Sequence, residues 1–262
     1  MDDTTHFMHW AINPEIFRVG PLAIRWYGLL FATAFIAGLY IMRRFYKDVG
    51  KPAEELDRML MYVVIGTIVG ARLGHTLIYD PGYYLSHPLD IIKVWEGGLA
   101  SHGGGLGIII ALWLYARKSG DRLLWLLDRI CIPVAAAGFF IRLGNLFNSE
   151  IIGTPTQVPW AVVFDLVGPQ PVHPVMVYES LVYGLIFIVL WQVYQRIWRQ
   201  MRNGTLFGLF LMLVFAARFL LEFVKTEQAA FTLGVPISMG QLLSVPFFIA
   251  GVVFFVRARK SG

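Results

Sequence analysis

Three clusters of polar residues interrupt long apolar runs of this sequence, at residues 95–105, 142–153 and 218–225. Each cluster contains an ionisable side chain, and a charge near the centre of a bilayer costs about 2.5 to 3.5 kcal/mol on insertion scales. A charge that is retained at such a cost needs either a partner or a function. We therefore expect the chemistry of the chain in these three segments.

The first cluster places His102 among glycines, with Gly97 and Gly98 before it and Gly103 and Gly104 after it. Glycines allow a ligand to approach the backbone closely. A neutral His can accept a proton near pH 7. The cluster therefore indicates a general base beside a bound ligand. The alternative is a glycine patch for helix packing, in which His102 is held by a hydrogen bond.

The second cluster follows an apolar helix and offers a guanidinium, two amides and a carboxylate, from Arg142, Asn145, Asn148 and Glu150, ahead of Gly153. The planar fork of an arginine matches two phosphate oxygens at once. This pattern predicts a phosphate site. Asn and Gly at a helix end also serve as caps, which is the alternative interpretation.

The third cluster contains Arg218, Glu222 and Lys225, whose spacing of i, i+4 and i+7 puts them on one helix face. If this helix begins inside near residue 204, Arg218 lies about 21 Å along it at 1.5 Å per residue, well into the outer leaflet. We expect Glu222 to hold Arg218. The alternative is that this pair is purely structural.

Four residues from four different helices, Tyr27, His102, Arg142 and Arg218, are all expected toward the outer leaflet. Ion pairs that only join helices would have no reason to share one depth. Two arginines and a His at one level predict a site for a phosphate-bearing lipid, with a base beside it.

The elements that must position these residues are transmembrane helices. The 262 residues are 57% hydrophobic and 15% charged, against roughly 25% charged residues in an average soluble domain. Because a spanning helix needs about 20 apolar residues, we predict an all-α integral membrane protein with about seven transmembrane helices, in which residues 1–262 form a single polytopic domain. The helices are predicted near residues 22–42, 58–79, 91–116, 122–141, 175–196, 204–225 and 238–256.

The basic residues predict the orientation of the helices. Most of the 22 Lys and Arg residues fall in alternate connections, which the positive-inside rule places in the cytoplasm. An odd number of crossings then puts the N-terminus outside and the C-terminus in the cytoplasm. These basic residues are Arg43, Arg44, Lys47, Lys51, Arg58, Arg117, Lys118, Arg122, Arg196, Arg199, Arg202, Arg257, Arg259 and Lys260.

The connection at 143–174, between the fourth and fifth helices, is rich in Pro, Gly and Asn and predicts a small outer, periplasmic head. Asp2 and Asp3, without a basic region, do not resemble a cleavable signal peptide, so the first apolar run is expected to remain in the protein. The single cysteine, Cys131, lies in an apolar run and is expected to be inert.

The same pattern argues against other kinds of partner. The net charge of +5 is spread over short clusters between apolar runs and forms no stripe, so no nucleic acid is expected. His6 and His9, or His87 and His173, stand at no recognisable ligand spacing, so no metal is expected. The chain is expected to act as a monomer without a cofactor.

Several ordered motifs along nearly the whole chain resemble the bacterial prolipoprotein diacylglyceryl transferase family. These motifs are Arg25-Trp26-Tyr27-Gly28-Leu29, Glu96-Gly97-Gly98 with His102-Gly103-Gly104, Arg142-Leu143-Gly144-Asn145 with Asn148, Glu150 and Gly153, His173-Pro174 with Tyr178-Glu179, and Arg218-Phe219 with Glu222-Phe223. The order and wide spacing of the motifs make the resemblance much more specific than any one of them alone.

The resemblance implies an enzyme of the bacterial inner membrane. It would move the diacylglyceryl group of phosphatidylglycerol to the lipobox cysteine thiol of a preprolipoprotein signal peptide, form a thioether and release glycerol phosphate. This is the first step of lipoprotein maturation. The attacking thiol would belong to the substrate, which fits a chain whose own cysteine lies away from the polar clusters.

The resemblance, together with the chemistry of the residues, assigns roles within the site. Arg142 and Arg218 would stabilise the leaving phosphate, and His102 would take the thiol proton, unless the cationic site lowers the pKa of the thiol enough to make this base dispensable. Tyr27 would act beside them. The phosphatidylglycerol contacts would come from Arg142, Arg218, Asn145, Glu150, Gly153, Gly103 and Gly104, with support from Glu222, Asn148, Tyr178 and Glu179.

The chain departs from the family pattern at a few positions, including Lys225 in place of Arg, and His75 and Val214 where Tyr is expected. Lys225 keeps the charge but loses the fork of donors.

Two other classes of protein remain to be weighed. An anion or lipid transporter should show paired repeats or broken helices, which the sequence lacks, and a structural subunit does not account for the glycines around His102.

Overall fold

The computed structural model describes residues 7–20, 22–94, 98, 100–226 and 237–260, without the side chains of Leu22, Tyr79, Ser101 and His102. The chain divides into two compact units. The first consists of Met1–Ile41 and Asp128–Gly262, and the second is Met42–Leu127.

The first unit contains the five described strands and most of the apolar helices. Two helices, α1 and α5, continue across the boundary between the units. The elements of the first unit are β1 (Met8–Trp10), β2 (Glu15–Val19), β3 (Leu22–Arg25), the start of α1 (Trp26–Asp48), most of α5 (Leu123–Phe147), β4 (Val162–Phe164), β5 (Pro171–Val172), α6 (Val175–Ile197), α7 (Thr205–Leu221), a 3₁₀ turn (Glu222–Val224) and α8 (Met239–Lys260).

The second unit is built on two long helices. Its elements are α2 (Ala53–Gly74), a π turn (His75–Tyr79), α3 (Pro81–Ser86), a 3₁₀ turn (Pro88–Ile92) and α4 (Ser101–Ser119). The numbering of the helices follows the chain, so α2 to α4 lie between α1 and α5.

Small residues allow neighbouring helices to approach closely, as is usual between helices in membranes. In the first unit, a Cβ added to Gly251 of α8 would lie 2.8 Å from the carbonyl oxygen of Gly208 in α7. In the second unit, a Cβ added to Gly107 of α4 would lie 2.0 Å from the carbonyl oxygen of Gly66 in α2. Larger residues at these crossings would force the helix pairs apart.

Within the described residues, six helices are long and apolar enough to cross a membrane, and they confirm a multi-pass, helical membrane protein. They span Trp26–Asp48, Ala53–Ile78, Leu123–Phe147, Val175–Ile197, Thr205–Val224 and Met239–Lys260. Helix α4 is not among the six, so a count of seven stays a prediction, as do the sides of the termini.

Among the predicted helix boundaries that differ from the structure, two concern the polar clusters. Helix α4 begins at Ser101 and not near residue 91, because residues 88–92 form a 3₁₀ turn and Gly98 has a φ of 67°, which a continuing α-helix does not allow. Helix α5 continues past residue 141 to Phe147, ahead of Ser149, whose φ is 54°. The residues from Arg142 to Asn145 therefore lie on a helix and not in a loop.

The segment after α5 contributes strands to a small sheet. Strand β1 pairs in parallel with β4, and β4 pairs antiparallel with β5. Buried side chains of Val162, Phe164, Val172 and Met176 form its core, with Trp10 packed against them. The connection predicted at 143–174 thus holds β4 and β5, while its first residues belong to α5. Its place on the outer side of the membrane stays a prediction.

Candidate active site

Arg142 lies near the end of α5 and is held from two directions. Its Nε atom lies 3.0 Å from Oε2 of Glu179 on α6, and both side chains are largely buried. Its Nη1 atom donates a long hydrogen bond of 3.4 Å to Oδ1 of Asn145, three residues later on the same helix. The guanidinium therefore has a defined position between α5 and α6.

Asn145 connects Arg142 to the carboxylate of Glu150. The Nδ2 atom of Asn145 donates to Oε2 of Glu150 over 3.1 Å, and Nδ2 of Asn148 donates to Oε1 over 3.0 Å. Both neighbours of Glu150 adopt left-handed conformations, with φ values of 54° at Ser149 and 58° at Ile151. Such conformations are costly for residues other than Gly and often occur at functional sites. Residues 142–150 thus form one connected polar unit, as the sequence predicts.

Glu179 is shared between two cations. Its Oε1 atom accepts a hydrogen bond of 3.2 Å from Nζ of Lys225, while Oε2 faces Arg142. Oε2 is close enough for an ion pair but receives no hydrogen bond from any described residue. Glu179 therefore has a larger part in the site than the supporting role predicted for it, and Lys225 is committed to this carboxylate.

Tyr183 is a site residue that sequence reasoning missed. Its hydroxyl interacts electrostatically with Arg142, Arg218 and Glu179. Its ring packs on α5 at Gly138, where an added Cβ would lie 2.7 Å from the ring. The signal was present in the spacing, since Tyr183 lies four residues after Glu179 and therefore on the same face of α6.

Arg218 on α7 is exposed and makes no ion pair with any described carboxylate within 4 Å. It lines a narrow cavity of about 20 Å³ together with Glu179, Tyr183 and Val214. Tyr183 thus lies between the two arginines, which the structure brings to one region of the first unit. Val214, where the family resemblance led us to expect Tyr, adds an apolar wall to the cavity.

The predicted pair between Glu222 and Arg218 is not formed. Helix α7 ends at Leu221, and Glu222 begins a 3₁₀ turn that directs its carboxylate onto α8. A Cβ added to Gly240 would lie 2.2 Å from Oε1 of Glu222. The backbone is still helical at Glu222, whose amide donates to the carbonyl oxygen of Arg218, so the two residues keep the i, i+4 spacing but their side chains form no ion pair.

Tyr27 begins α1 and packs against the end of α5. A Cβ added to Gly144 would lie 2.7 Å from Cδ2 of the Tyr27 ring, so the glycine provides the space for this ring. Tyr27 also interacts electrostatically with Arg142 and Glu150. The structure therefore brings Tyr27 to the polar unit, as predicted.

Gly153 has a packing role. It forms a β-bridge with Lys225, and an added Cβ would lie 2.5 Å from the carbonyl oxygen of Val224. Its lack of a side chain lets the chain beside Lys225 approach closely, and its predicted contact with the ligand stays a prediction. Tyr178 accepts a hydrogen bond of 2.7 Å from Trp160 and lies 3.2 Å from Nδ1 of His173, so it supports the head segment.

The predicted base lies in the second unit. His102 is the second residue of α4, and its side chain lies outside the described residues. Gly103 packs directly on α2, because an added Cβ would lie 2.2 Å from the carbonyl oxygen of Gly70. Its predicted contact with the ligand stays a prediction. Gly104 has ordinary contact distances to Ala71 and Thr67, and its role in binding stays a prediction.

Comparison with known proteins identifies close relatives over the whole length. A family model described as prolipoprotein diacylglyceryl transferase matches residues 14–257. A Tolumonas auensis protein named phosphatidylglycerol–prolipoprotein diacylglyceryl transferase is 52% identical over 254 residues, covering 97% of this chain and 98% of the relative.

Two further relatives have the same name. One from Chloroherpeton thalassium is 49% identical over 259 residues, covering 98% of this chain and 97% of the relative. One from Porphyromonas gingivalis is 42% identical over 271 residues, covering 97% of this chain and 96% of the relative. The resemblance found in the motifs thus extends over the whole chain.

Proposed function

The chain belongs to the prolipoprotein diacylglyceryl transferase family, and we propose that it catalyses this transfer with Arg142 and Arg218 binding the phosphate of phosphatidylglycerol. The thiolate of the lipobox cysteine attacks the glyceryl carbon that carries the phosphate. A carbon–sulfur bond forms, the bond between that carbon and the phosphate oxygen breaks, and glycerol phosphate leaves with the electron pair. The product is a thioether-linked prolipoprotein.

The observation that carries the proposal is the charge balance around Glu179. Arg142 and Lys225 face Glu179, and Glu150 is linked to Arg142 through Asn145, so two cations accompany two carboxylates. Arg218 adds a third cation that pairs with no described carboxylate. A phosphate diester carries the single negative charge that this arrangement lacks.

The geometry suggests how the headgroup approaches. The cavity beside Arg218 has a volume of about 20 Å³, enough for about one water molecule. It is too small for a lipid headgroup, whereas Arg218 itself is exposed. The phosphate would therefore meet Arg218 at the mouth of this cavity, with Tyr183 and Arg142 behind it.

Fixed guanidinium groups favour the reaction because charge develops on the leaving phosphate. Donors that are already oriented in a low-dielectric site stabilise such charge without reorganising during the reaction. Arg142 meets this condition because Glu179 and Asn145 both restrain it. Tyr27, Asn145 and Glu150 would orient the headgroup and the arginine.

His102 is our choice for the base. A thiol has a reference pKa near 8.5 and must lose its proton before it attacks. If the cations alone lower the pKa of the thiol sufficiently, His102 is dispensable. The variant His102→Gln decides between these roles, because full transfer rate at pH 7 would exclude an obligatory base.

The orientation of the chain follows from its basic residues. Arg257, Arg259 and Lys260 end α8, and the positive-inside rule places such clusters in the cytoplasm. We therefore place the N-terminus and the head outside and the C-terminus in the cytoplasm of a bacterial inner membrane. The chain would act as a monomer on phosphatidylglycerol and a lipobox signal peptide.

Transfer of label tests the proposal. Purified protein is incubated with phosphatidylglycerol labelled in its diacylglyceryl glycerol and with a lipobox peptide. Label should reach the peptide with the native protein and with the control Arg44→Ala, which removes an exposed arginine paired with Asp48. Arg142→Ala and Arg218→Ala should stop the transfer. Transfer that survives both changes would show that Arg142 and Arg218 do not form the phosphate site.

A further inference from the structure

Arg72, near the end of α2, is buried, with an exposed fraction of 3%. Its guanidinium donates to three backbone carbonyl groups of one segment. The Nε atom donates to Ile91 over 2.8 Å, Nη2 donates to Asp90, and Nη1 donates to Gly98 over 3.3 Å. A buried charge is costly unless it is satisfied in this way. Arg72 therefore holds the backbone at residues 90, 91 and 98.

The guanidinium also holds α3. Its Cζ atom lies 5.0 Å from the centre of the Tyr84 ring, within range of a cation–π interaction. The Tyr84 ring in turn makes an edge contact with His75, at a centroid distance of 6.0 Å. Arg72 thus contacts Tyr84, before the 3₁₀ turn at Pro88–Ile92, and Gly98, after this turn.

The same end of α2 contacts the chain where it enters α4. The amide of Ala100 donates to the carbonyl oxygen of Ala71 over 2.9 Å. Gly98, with a φ of 67°, lies so close that an added Cβ would be 2.8 Å from Nη1 of Arg72 and 2.6 Å from the His75 ring. Gly103 packs on the backbone of Gly70. Residues 98, 100 and 103 are therefore each fixed by α2.

His102 lies within this fixed stretch. The backbone before it is held by Arg72 and Ala71, and the backbone directly after it is held by Gly70. A displacement of about 1 Å of a catalytic group can cost about 100-fold in rate. Only an arginine offers donors in several directions from one rigid plane, so a lysine at position 72 could satisfy only part of this set.

We propose that Arg72 is a positioning residue for the transfer reaction, which fixes the backbone that carries His102. The proposal rests on the role of His102 under the proposed function. It extends the site to an arginine that acts on the reaction through the backbone at residues 98, 100 and 103.

Two measurements on the full-length protein test the proposal. The first is hydrogen exchange of the segment 98–103 in the native protein, in Arg72→Gln and in the milder Arg72→Lys. Exchange at the Ala100 amide should be at least about tenfold faster in Arg72→Gln, because the carbonyl groups around it lose their donors. The matched control is Arg58→Gln, which removes an exposed arginine from the same helix and should leave this exchange unchanged.

The second measurement is a double-mutant cycle of transfer rates. Arg72→Gln should lower kcat about 100-fold, with the KM for phosphatidylglycerol unchanged. In the His102→Gln background, the same change should cost less than about threefold, since residues that act through one another are not additive. A structural role elsewhere would lower the rate equally in both backgrounds.

The outcomes separate this proposal from the proposed function. Unchanged exchange at Ala100, or equal losses of rate in both backgrounds, overturns the role of Arg72. If exchange is faster in Arg72→Gln but His102→Gln keeps full activity, His102 has no part in the reaction. The effect of Arg72 on the rate through His102 is then excluded as well. In that case the backbone role of Arg72 remains supported, because the exchange measurement does not depend on the chemistry.

Discussion

Replacing Glu179 by Gln removes the carboxylate that lies 3.0 Å from Nε of Arg142 and 3.2 Å from Nζ of Lys225. The glutamine keeps the size of the side chain and one carbonyl acceptor, so the change is mainly electrostatic. The side chain of Glu179 has an exposed fraction of only 10%, so screening by solvent is weak. The two cations would then lie close together without a shared counter-charge.

The expected magnitude follows from these distances. At an effective dielectric constant of about 20, each contact has a gross attraction of about 5 kcal/mol. Desolvation offsets most of it, but breaking a buried pair still costs roughly 3 to 5 kcal/mol because a charge is left uncompensated. Arg142 should leave its position, and a displacement of about 1 Å would lower kcat about 100-fold. The added positive charge should lower the KM for anionic phosphatidylglycerol.

Transfer of label to a lipobox peptide, measured in proteoliposomes over a range of phosphatidylglycerol fractions, gives both kinetic constants. The matched control is Glu15→Gln, which breaks an exposed pair with Arg18 and should leave both constants unchanged. An unchanged kcat for Glu179→Gln would refute the positioning of Arg142 by Glu179. A higher KM with unchanged kcat would show instead that Glu179 binds the substrate.

Three further predictions concern packing and capping. Gly144→Ala should lower the rate of transfer about tenfold with little loss of melting temperature, because the added Cβ would displace the Tyr27 ring. In a Tyr27→Leu background, Gly144→Ala should cause no further loss of rate. Asp128→Ala should lower the melting temperature without changing KM, because the Asp128 carboxylate accepts two backbone hydrogen bonds, of 2.6 and 2.8 Å, at the start of α7. Loss of this cap should cost about 1 to 2 kcal/mol of folding free energy. An unchanged melting temperature would contradict the role of Asp128 as a cap. Gly107→Val should prevent close packing of α2 and α4 and abolish folding in the membrane, because the added Cβ would lie 2.0 Å from the carbonyl oxygen of Gly66. A variant with the yield and melting temperature of the native protein would exclude this packing.

The helices could be predicted largely from hydropathy, because each must satisfy its backbone groups within the apolar run that spans the membrane. Two of the boundaries that failed are set by backbone conformation. Gly98 and Ser149 adopt positive φ values that hydropathy does not report. As a result, the sequence placed α4 too early and ended α5 before the residues of the Arg142 motif.

The site could be predicted where its contacts are local in sequence. Arg142, Asn145 and Glu150 lie within one helix end, and their chain of contacts follows from their spacing. Contacts between different helices could not be predicted from the sequence spacing. Glu179 and Tyr183 meet Arg142 only because α6 packs against α5, and a single sequence does not report which helix faces which.

The pair of Arg218 and Glu222 shows the limit of spacing as a guide. Residues at i and i+4 lie on the same face of a helix, but this does not oblige their side chains to pair. Here the amide of Glu222 still donates to the carbonyl oxygen of Arg218, while the carboxylate of Glu222 lies against Gly240 of α8. The consequence for function is favourable to the proposal, because Arg218 has no ion pair with Glu222 and is left to meet an anionic ligand.

Contact between arginine and phosphate can be measured directly by rotational-echo double resonance between ¹⁵N-labelled arginine and the ³¹P nucleus of phosphatidylglycerol. With about one lipid bound per protein in detergent, charge-assisted hydrogen bonds of about 2.8 Å place guanidinium nitrogens within about 4 Å of phosphorus. The native protein and the control Arg44→Lys should show this dephasing. It should weaken in Arg142→Lys and in Arg218→Lys and vanish in the double variant. Undiminished dephasing in the double variant would contradict the claim that these two arginines bind the phosphate.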